Sequence, residues 1–124
     1  MDHRGKPISL FESGAIMLYL AGKTGRFLGS SERDRYEVLQ WLMFQMGGFG
    51  PMLGQATTSA LRPEPIGYAI DRYTKEAKRL YGVLETRLAS SPSWLRALHH
   101  CRHRLLGLAA SHANQGVDLS DFHR

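Results

Sequence analysis

The feature that most constrains the fold is an apolar repeat through residues 66–89. Its apolar side chains recur at three- and four-residue steps, the spacing of one face of an α-helix. They are Ile66, Ile70, Tyr73, Ala77, Leu80, Leu84 and Leu88. Charged residues lie between them on other faces, and Ser90-Ser91-Pro92 closes the segment. The sequence therefore predicts a long amphipathic helix over about residues 66–89.

Two shorter helices and one strand are predicted ahead of this segment. Residues 6–11 predict a short strand, with a proline near its start. Ser13 is the predicted N-cap of a helix over residues 15–21, and residues 23–25 stop that helix. Ser31, with Asp34 three residues on, predicts the capping box of a second helix. Glycines and a proline in residues 47–51 break or kink this helix, and residues 56–65 are predicted to be a loop.

One strand followed by a run of helices is an unusual order of elements. A lone strand or hairpin does not stabilise itself in water. We therefore predict an α+β remnant that is mainly helical. The first residues are expected to be the end of something larger.

Composition and charge narrow the class of protein. A chain of 124 residues that is 43% hydrophobic suits one globular domain. No segment reaches the roughly 18 apolar residues of a membrane span, the first residues do not resemble a signal peptide, and a single cysteine fits a reducing compartment. We therefore expect a cytoplasmic protein without a membrane partner. The net charge of +5 comes largely from residues 96–112. That segment has no aromatic residue between 96 and 108, which argues against a nucleic-acid partner.

Three blocks of the chain resemble one family. Residues 8–21, residues 37–55 and residues 68–81 are similar to glutathione transferases, and the last two blocks are similar to the bacterial Nu class, whose members show disulfide-bond reductase activity. The resemblance implies that residues 1–25 are the last strand and helix of a thioredoxin-like domain, and that residues 30–124 are part of an all-helical domain. It also implies glutathione as cosubstrate without a metal, a small electrophile or a disulfide as the second substrate, and a homodimer.

The resemblance assigns binding roles to three residues. Glu12-Ser13 occupies the place of the pair that holds the γ-glutamyl end of glutathione. A hydroxyl and free N–H groups at a helix N-terminus suit a carboxylate, although the same pair can be an ordinary helix cap. Arg72 matches an arginine that contacts a glutathione carboxylate, in part across the dimer, and its alternative is a solvated arginine or one paired with Glu76. The apolar side chains that can line an electrophile pocket, or pack the core, are Trp41, Met43, Phe44, Met46 and Met52.

Residues 96–111 depart from the family. One choice of codons for residues 97–108, read from the second base, encodes Arg-Tyr-Thr-Ile-Ala-Asp-Ile-Ala-Cys-Trp-Ala-Trp, a motif that the family carries at this place. Residues 112–122 resemble the family again. The sequence thus predicts two compensating frame slips, from a lesion of the gene or a sequencing error. They also explain the cluster of His99, His100, Cys101 and His103 without a metal site.

The expected function is glutathione-dependent conjugation or disulfide reduction in the ancestral protein. The family's thiol-contacting residues and its cis-proline loop precede the part that this chain resembles. We therefore expect no catalytic residue here and no activity from this chain alone. The alternative is a non-catalytic helical module that binds or dimerises, or has no function.

Overall fold

The computed structural model describes residues 5–90 and 109–122, and it is built almost entirely from helices. The α-helices are α1 (Ser13–Thr24), α2 (Glu32–Phe44), α3 (Gly50–Ala60) and α4 (Gly67–Ser90). A π-turn (Gln45–Phe49) joins α2 to α3, and two 3-10 turns follow at His112–Gln115 and Leu119–Phe122. The mainly helical fold class is confirmed.

The predicted strand at residues 6–11 is wrong. These residues lie outside any strand or helix, and no other strand is present in the described ranges. A strand exists through hydrogen bonds to a neighbouring strand, so an apolar pattern alone does not form one. The division into residues 1–25 and 30–124 stays a prediction.

The start of α2 follows the sequence prediction. The backbone N–H of Asp34 donates to the Ser31 hydroxyl at 3.1 Å, and the N–H of Ser31 donates to the Asp34 carboxylate at 3.2 Å. Together they form the predicted capping box. The hydrogen bonds from Ser31 hold the pKa of the Asp34 carboxyl below its usual value.

The chain stays helical beyond the predicted break at residues 47–51. Two of the glycines lie within the π-turn. Pro51 lies in the first turn of α3, where the missing N–H of a proline costs the helix no hydrogen bond. The predicted loop over residues 56–65 is therefore too long, because α3 continues to Ala60. Ala56 and Ser59 are buried, and that burial holds these residues in the helix.

The core lies between α3 and α4. Phe49, Leu53 and Leu80 each expose 2% of their surface or less. Ala77 is fully buried in the same core cluster. The predicted helix at 66–89 is confirmed as α4, and its apolar face supplies much of this core.

Residues 109–122 close over α4. Val117 is buried in the core cluster. The buried Tyr81 hydroxyl donates to the side-chain oxygen of Gln115 at 2.9 Å, and the Thr74 hydroxyl donates to the Gln115 carbonyl at 3.4 Å. The Lys78 ammonium pairs with Asp121 at 3.2 Å. This segment is therefore fixed to α4 by apolar, neutral and charged contacts.

Candidate functional site

Glu12 precedes α1 in an unusual backbone conformation. Its φ is 64° and its ψ is 115°, and its side chain is exposed. A residue with a Cβ pays for a positive φ in free energy, and such strain concentrates at binding and catalytic sites. Gly25, at the other end of α1, adopts a similar φ of 65° as an ordinary glycine cap. The strain at Glu12 therefore marks the first end of α1 as the candidate site.

Ser13 is the first residue of α1 rather than its cap. The N-cap position belongs to Glu12, which makes no side-chain hydrogen bond to the helix, so the prediction of Ser13 as N-cap is wrong. The first helical hydrogen bond runs from the Ile16 N–H to the Glu12 carbonyl at 3.0 Å. The N–H groups of Ser13, Gly14 and Ala15 precede it and have no partner within the helix. An anion is the chemical species that such a helix end attracts.

Met46 lies beside the first turn of α1. The Ser13 hydroxyl donates to the Met46 sulfur across an Oγ to Sδ distance of 3.9 Å. Gly14 is buried, and a Cβ added to it would lie 3.4 Å from the Met46 Cγ. This neighbour of Ser13 was not predicted from the sequence.

Arg72 lies on the exposed side of α4. The Arg72 guanidinium is 3.5 Å from the Tyr68 hydroxyl, and within the described part of the chain it forms no salt bridge. Glu76, the alternative partner, instead binds Arg79 through contacts of 2.9 and 2.8 Å. The hydrogen bond from Arg79 is the main cause of the lowered pKa of the Glu76 carboxyl. Arg72 is therefore a solvated cation that a ligand carboxylate can reach.

Among the cavities of the described residues, the cleft at Arg72 does not include the other predicted site residues. Arg72 lines an open cleft of about 430 Å³ on α4, and neither Glu12 nor Ser13 lines it. The lining side chains are Met52, Arg72, Tyr73, Lys75, Glu76 and Arg79. Lys75 is paired with Asp71 at 2.8 Å. The candidate residues therefore lie on two different helices, at the start of α1 and on α4.

The candidate residues of an electrophile pocket are mostly packed into the helical body. Trp41, Phe44, Met46 and Met52 are half-buried and lie against the core. The Trp41 and Phe44 rings meet edge to face with centroids 5.2 Å apart. Met43 differs, since 53% of it is exposed. Core packing therefore describes four of these five residues.

The described residues offer neither a cluster of metal ligands nor a membrane-spanning helix. Within residues 5–90 and 109–122, no three His, Cys, Asp or Glu side chains converge on one point. None of the helices in these ranges is long and apolar enough to cross a bilayer. The histidine cluster and most of the predicted frame-slipped segment at residues 96–111 lie outside the described residues.

Comparison with known proteins places these features in a family. No protein-family model matches the chain. It is 58% identical over 92 residues to the disulfide-bond oxidoreductase YfcG of Escherichia coli, which covers 73% of this chain and 42% of the relative. Its structure superposes on a glutathione transferase of Burkholderia graminis with a TM-score of 0.78 and 38% identity, over 97% of this chain and 54% of the other. The chain belongs to the glutathione transferase family. The family resemblance predicted from the sequence is thus confirmed.

Three further facts describe what this chain shares with its relatives. The transcriptional regulator URE2 of Saccharomyces cerevisiae is 41% identical over 96 residues, which cover 72% of this chain and 27% of the relative. The chain spans less than half the length of these curated relatives. The structure from Burkholderia graminis holds two glutathione molecules per subunit. The chain is therefore similar both to an oxidoreductase and to a transcriptional regulator.

Proposed function

We propose that the start of α1 binds the γ-glutamyl end of glutathione. The observation that carries this proposal is the uncapped, strained helix start at Glu12 and Ser13, in a chain similar to a transferase with bound glutathione. The γ-glutamyl carboxylate would accept from the Ser13 hydroxyl and from the free N–H groups of the first turn. The Glu12 carboxylate would face the neighbouring ammonium of the same ligand.

Arg72 is the proposed second contact with a glutathione carboxylate. Its planar guanidinium can form two parallel hydrogen bonds with a carboxylate, which a lysine cannot. Since the cleft at Arg72 does not include Glu12 or Ser13, one chain does not supply both contacts through this cleft. We therefore propose that Arg72 acts on the glutathione of the partner subunit in a homodimer.

The chemistry to which these contacts would contribute is glutathione-dependent conjugation of a small electrophile or reduction of a disulfide, in the cytoplasm. Both reactions need glutathione as its thiolate, and a protein favours the thiolate with donors or positive charge at the sulfur. The proposed contacts bind the γ-glutamyl end rather than the sulfur. The 124-residue polypeptide assayed by itself is thus proposed to bind glutathione weakly and to show no turnover.

Retardation on a glutathione-agarose column tests the binding proposal. The matrix should delay the parent chain and the variant Ser120→Ala, which changes an exposed serine far from α1 in sequence. Ser13→Ala should elute earlier, because it removes one charge-assisted hydrogen bond, worth about 1.5–3 kcal/mol. Equal elution of Ser13→Ala and Ser120→Ala would exclude Ser13 from the site. Conjugation of an aromatic electrophile above background by the 124-residue chain would refute the proposed lack of turnover.

A second candidate function is association without catalysis. Its support is the apolar surface beside α1, where Phe11 is 82% exposed, Leu20 46% and Ile16 38%. Exposed apolar patches of this kind mark contact surfaces or aggregation sites. Replacing Phe11 and Leu20 with serine should then abolish self-association in sedimentation experiments. Unaltered sedimentation would remove this candidate.

A further inference from the structure

The π-turn brings one side chain to the start of α1. Gly14 and Ala21 are the buried residues of α1, and Gly14 packs on Met46. The same methionine accepts the hydrogen bond of the Ser13 hydroxyl. Ser13 and Met46 are 33 residues apart in sequence. The position of the α1 start therefore depends on a distant element through Met46.

The π-turn that carries Met46 is itself held firmly. Gln45, just before Met46, is 3% exposed, and Phe49, at the end of the turn, is fully buried. A Cβ added to Gly50 would lie 3.0 Å from both the carbonyl oxygen and the side-chain nitrogen of Gln45, so a glycine permits this close approach. Since both ends of the turn are fixed in the core, Met46 has a fixed base from which to contact α1.

We propose that Met46 is a positioning residue, which sets the Ser13 hydroxyl and the first turn of α1 for the glutathione carboxylate. This inference rests on the proposed glutathione site. A thioether sulfur is a weak hydrogen-bond acceptor. It orients the hydroxyl in the free protein and releases it when a carboxylate, a much stronger acceptor, arrives. A strong acceptor at the same place would retain the hydroxyl and oppose binding.

Two substitutions of similar size separate this role from simple packing. Met46→Leu keeps the apolar packing on Gly14 and loses only the weak hydrogen bond to the sulfur, so glutathione affinity, measured by titration of the full chain, should stay within about threefold. Met46→Gln adds an amide oxygen that competes for the Ser13 hydroxyl, and affinity should fall by roughly tenfold. Leu84→Ala, a half-buried residue of α4, serves as the destabilised control and should lower the melting temperature without lowering affinity. Equal affinities for Met46→Gln and Met46→Leu overturn the proposal.

Hydrogen exchange tests the positioning role of Met46 independently of ligand binding. The Ile16 amide donates to the Glu12 carbonyl at 3.0 Å and so reports the first turn of α1. Met46→Ala should speed its exchange by about tenfold more than Leu84→Ala does. Equal acceleration by both variants overturns the positioning role even if glutathione binds. If Met46→Ala gives the larger acceleration but the parent chain binds no glutathione, the proposed function is refuted instead.

Discussion

Removing the Tyr81 hydroxyl should loosen the attachment of the segment at residues 109–122 to α4. Tyr81 is 6% exposed and Gln115 is 1% exposed, and the hydrogen bond between them measures 2.9 Å. Tyr81→Phe deprives a buried amide oxygen of this donor, and such a loss costs about 1–3 kcal/mol. The Thr74 contact to the Gln115 carbonyl remains, so the segment should loosen without the core being lost.

Urea denaturation measures this cost. Tyr81→Phe should lower the free energy of unfolding by about 2 kcal/mol, whereas Tyr36→Phe, at a residue 57% exposed, should lie within about 0.5 kcal/mol of the parent chain. Adding Gln115→Met to Tyr81→Phe replaces both polar partners with apolar groups and should recover part of the loss. Equal effects of Tyr81→Phe and Tyr36→Phe would refute the hydrogen-bond argument.

Burial of Tyr81 should also make the stability of the protein fall at alkaline pH. Burial raises the pKa of Tyr81 to about 12 from an ordinary value of 10.0. The folded protein favours the neutral phenol of Tyr81, which adds to the free energy of unfolding. This stabilisation is fully present below the pKa of Tyr81 in the unfolded chain and is lost as the pH rises through its pKa in the folded protein. The parent chain should therefore lose more stability than Tyr81→Phe between pH 10.0 and about 12. Parallel losses in the two chains would show that the phenol is not desolvated.

Three further predictions concern the cap, the strained residue and the gene. Ser31→Ala should lower the free energy of unfolding by about 1 kcal/mol in urea titrations, and a change below about 0.3 kcal/mol would show that the capping box contributes little. Glu12→Gly relieves the positive φ and should raise stability by about 1 kcal/mol while weakening retention on glutathione-agarose, and lower stability would contradict the strain at Glu12. Sequencing the gene should reveal codons for a Tyr-Thr-Ile-Ala-Asp motif in a shifted frame across residues 97–108, and their absence would remove the frame-slip interpretation.

The helices were predictable where the signal is local. The apolar repeat at 66–89 predicted α4 to within a residue at each end, and Ser31 with Asp34 predicted the cap of α2. Both depend on residues a few positions apart, which the sequence displays directly. The strand at residues 6–11 failed, because strand formation depends on a partner that no local pattern specifies.

The family resemblance supplied the candidate residues, but their geometry could not be predicted. Glu12, Ser13 and Arg72 came from the family resemblance. The positive φ of Glu12 could not be predicted, because a glutamate gives no signal for it as a glycine does. The contact of Ser13 with Met46 joins residues far apart in sequence, and the π-turn that creates it depends on the packing of Gln45 and Phe49.

The most direct test of the central claim is a glutathione titration of the isotopically labelled chain, followed through its backbone amide signals by NMR. Binding at the start of α1 predicts that the signals of Ser13, Gly14 and Ala15 shift most and saturate together. Ser13→Ala should reduce these shifts. Glutathione in which the free α-carboxylate of the γ-glutamyl residue is amidated should not produce them. Shifts centred on another part of the chain, or unchanged when that carboxylate is blocked, would contradict a glutathione site at Glu12 and Ser13.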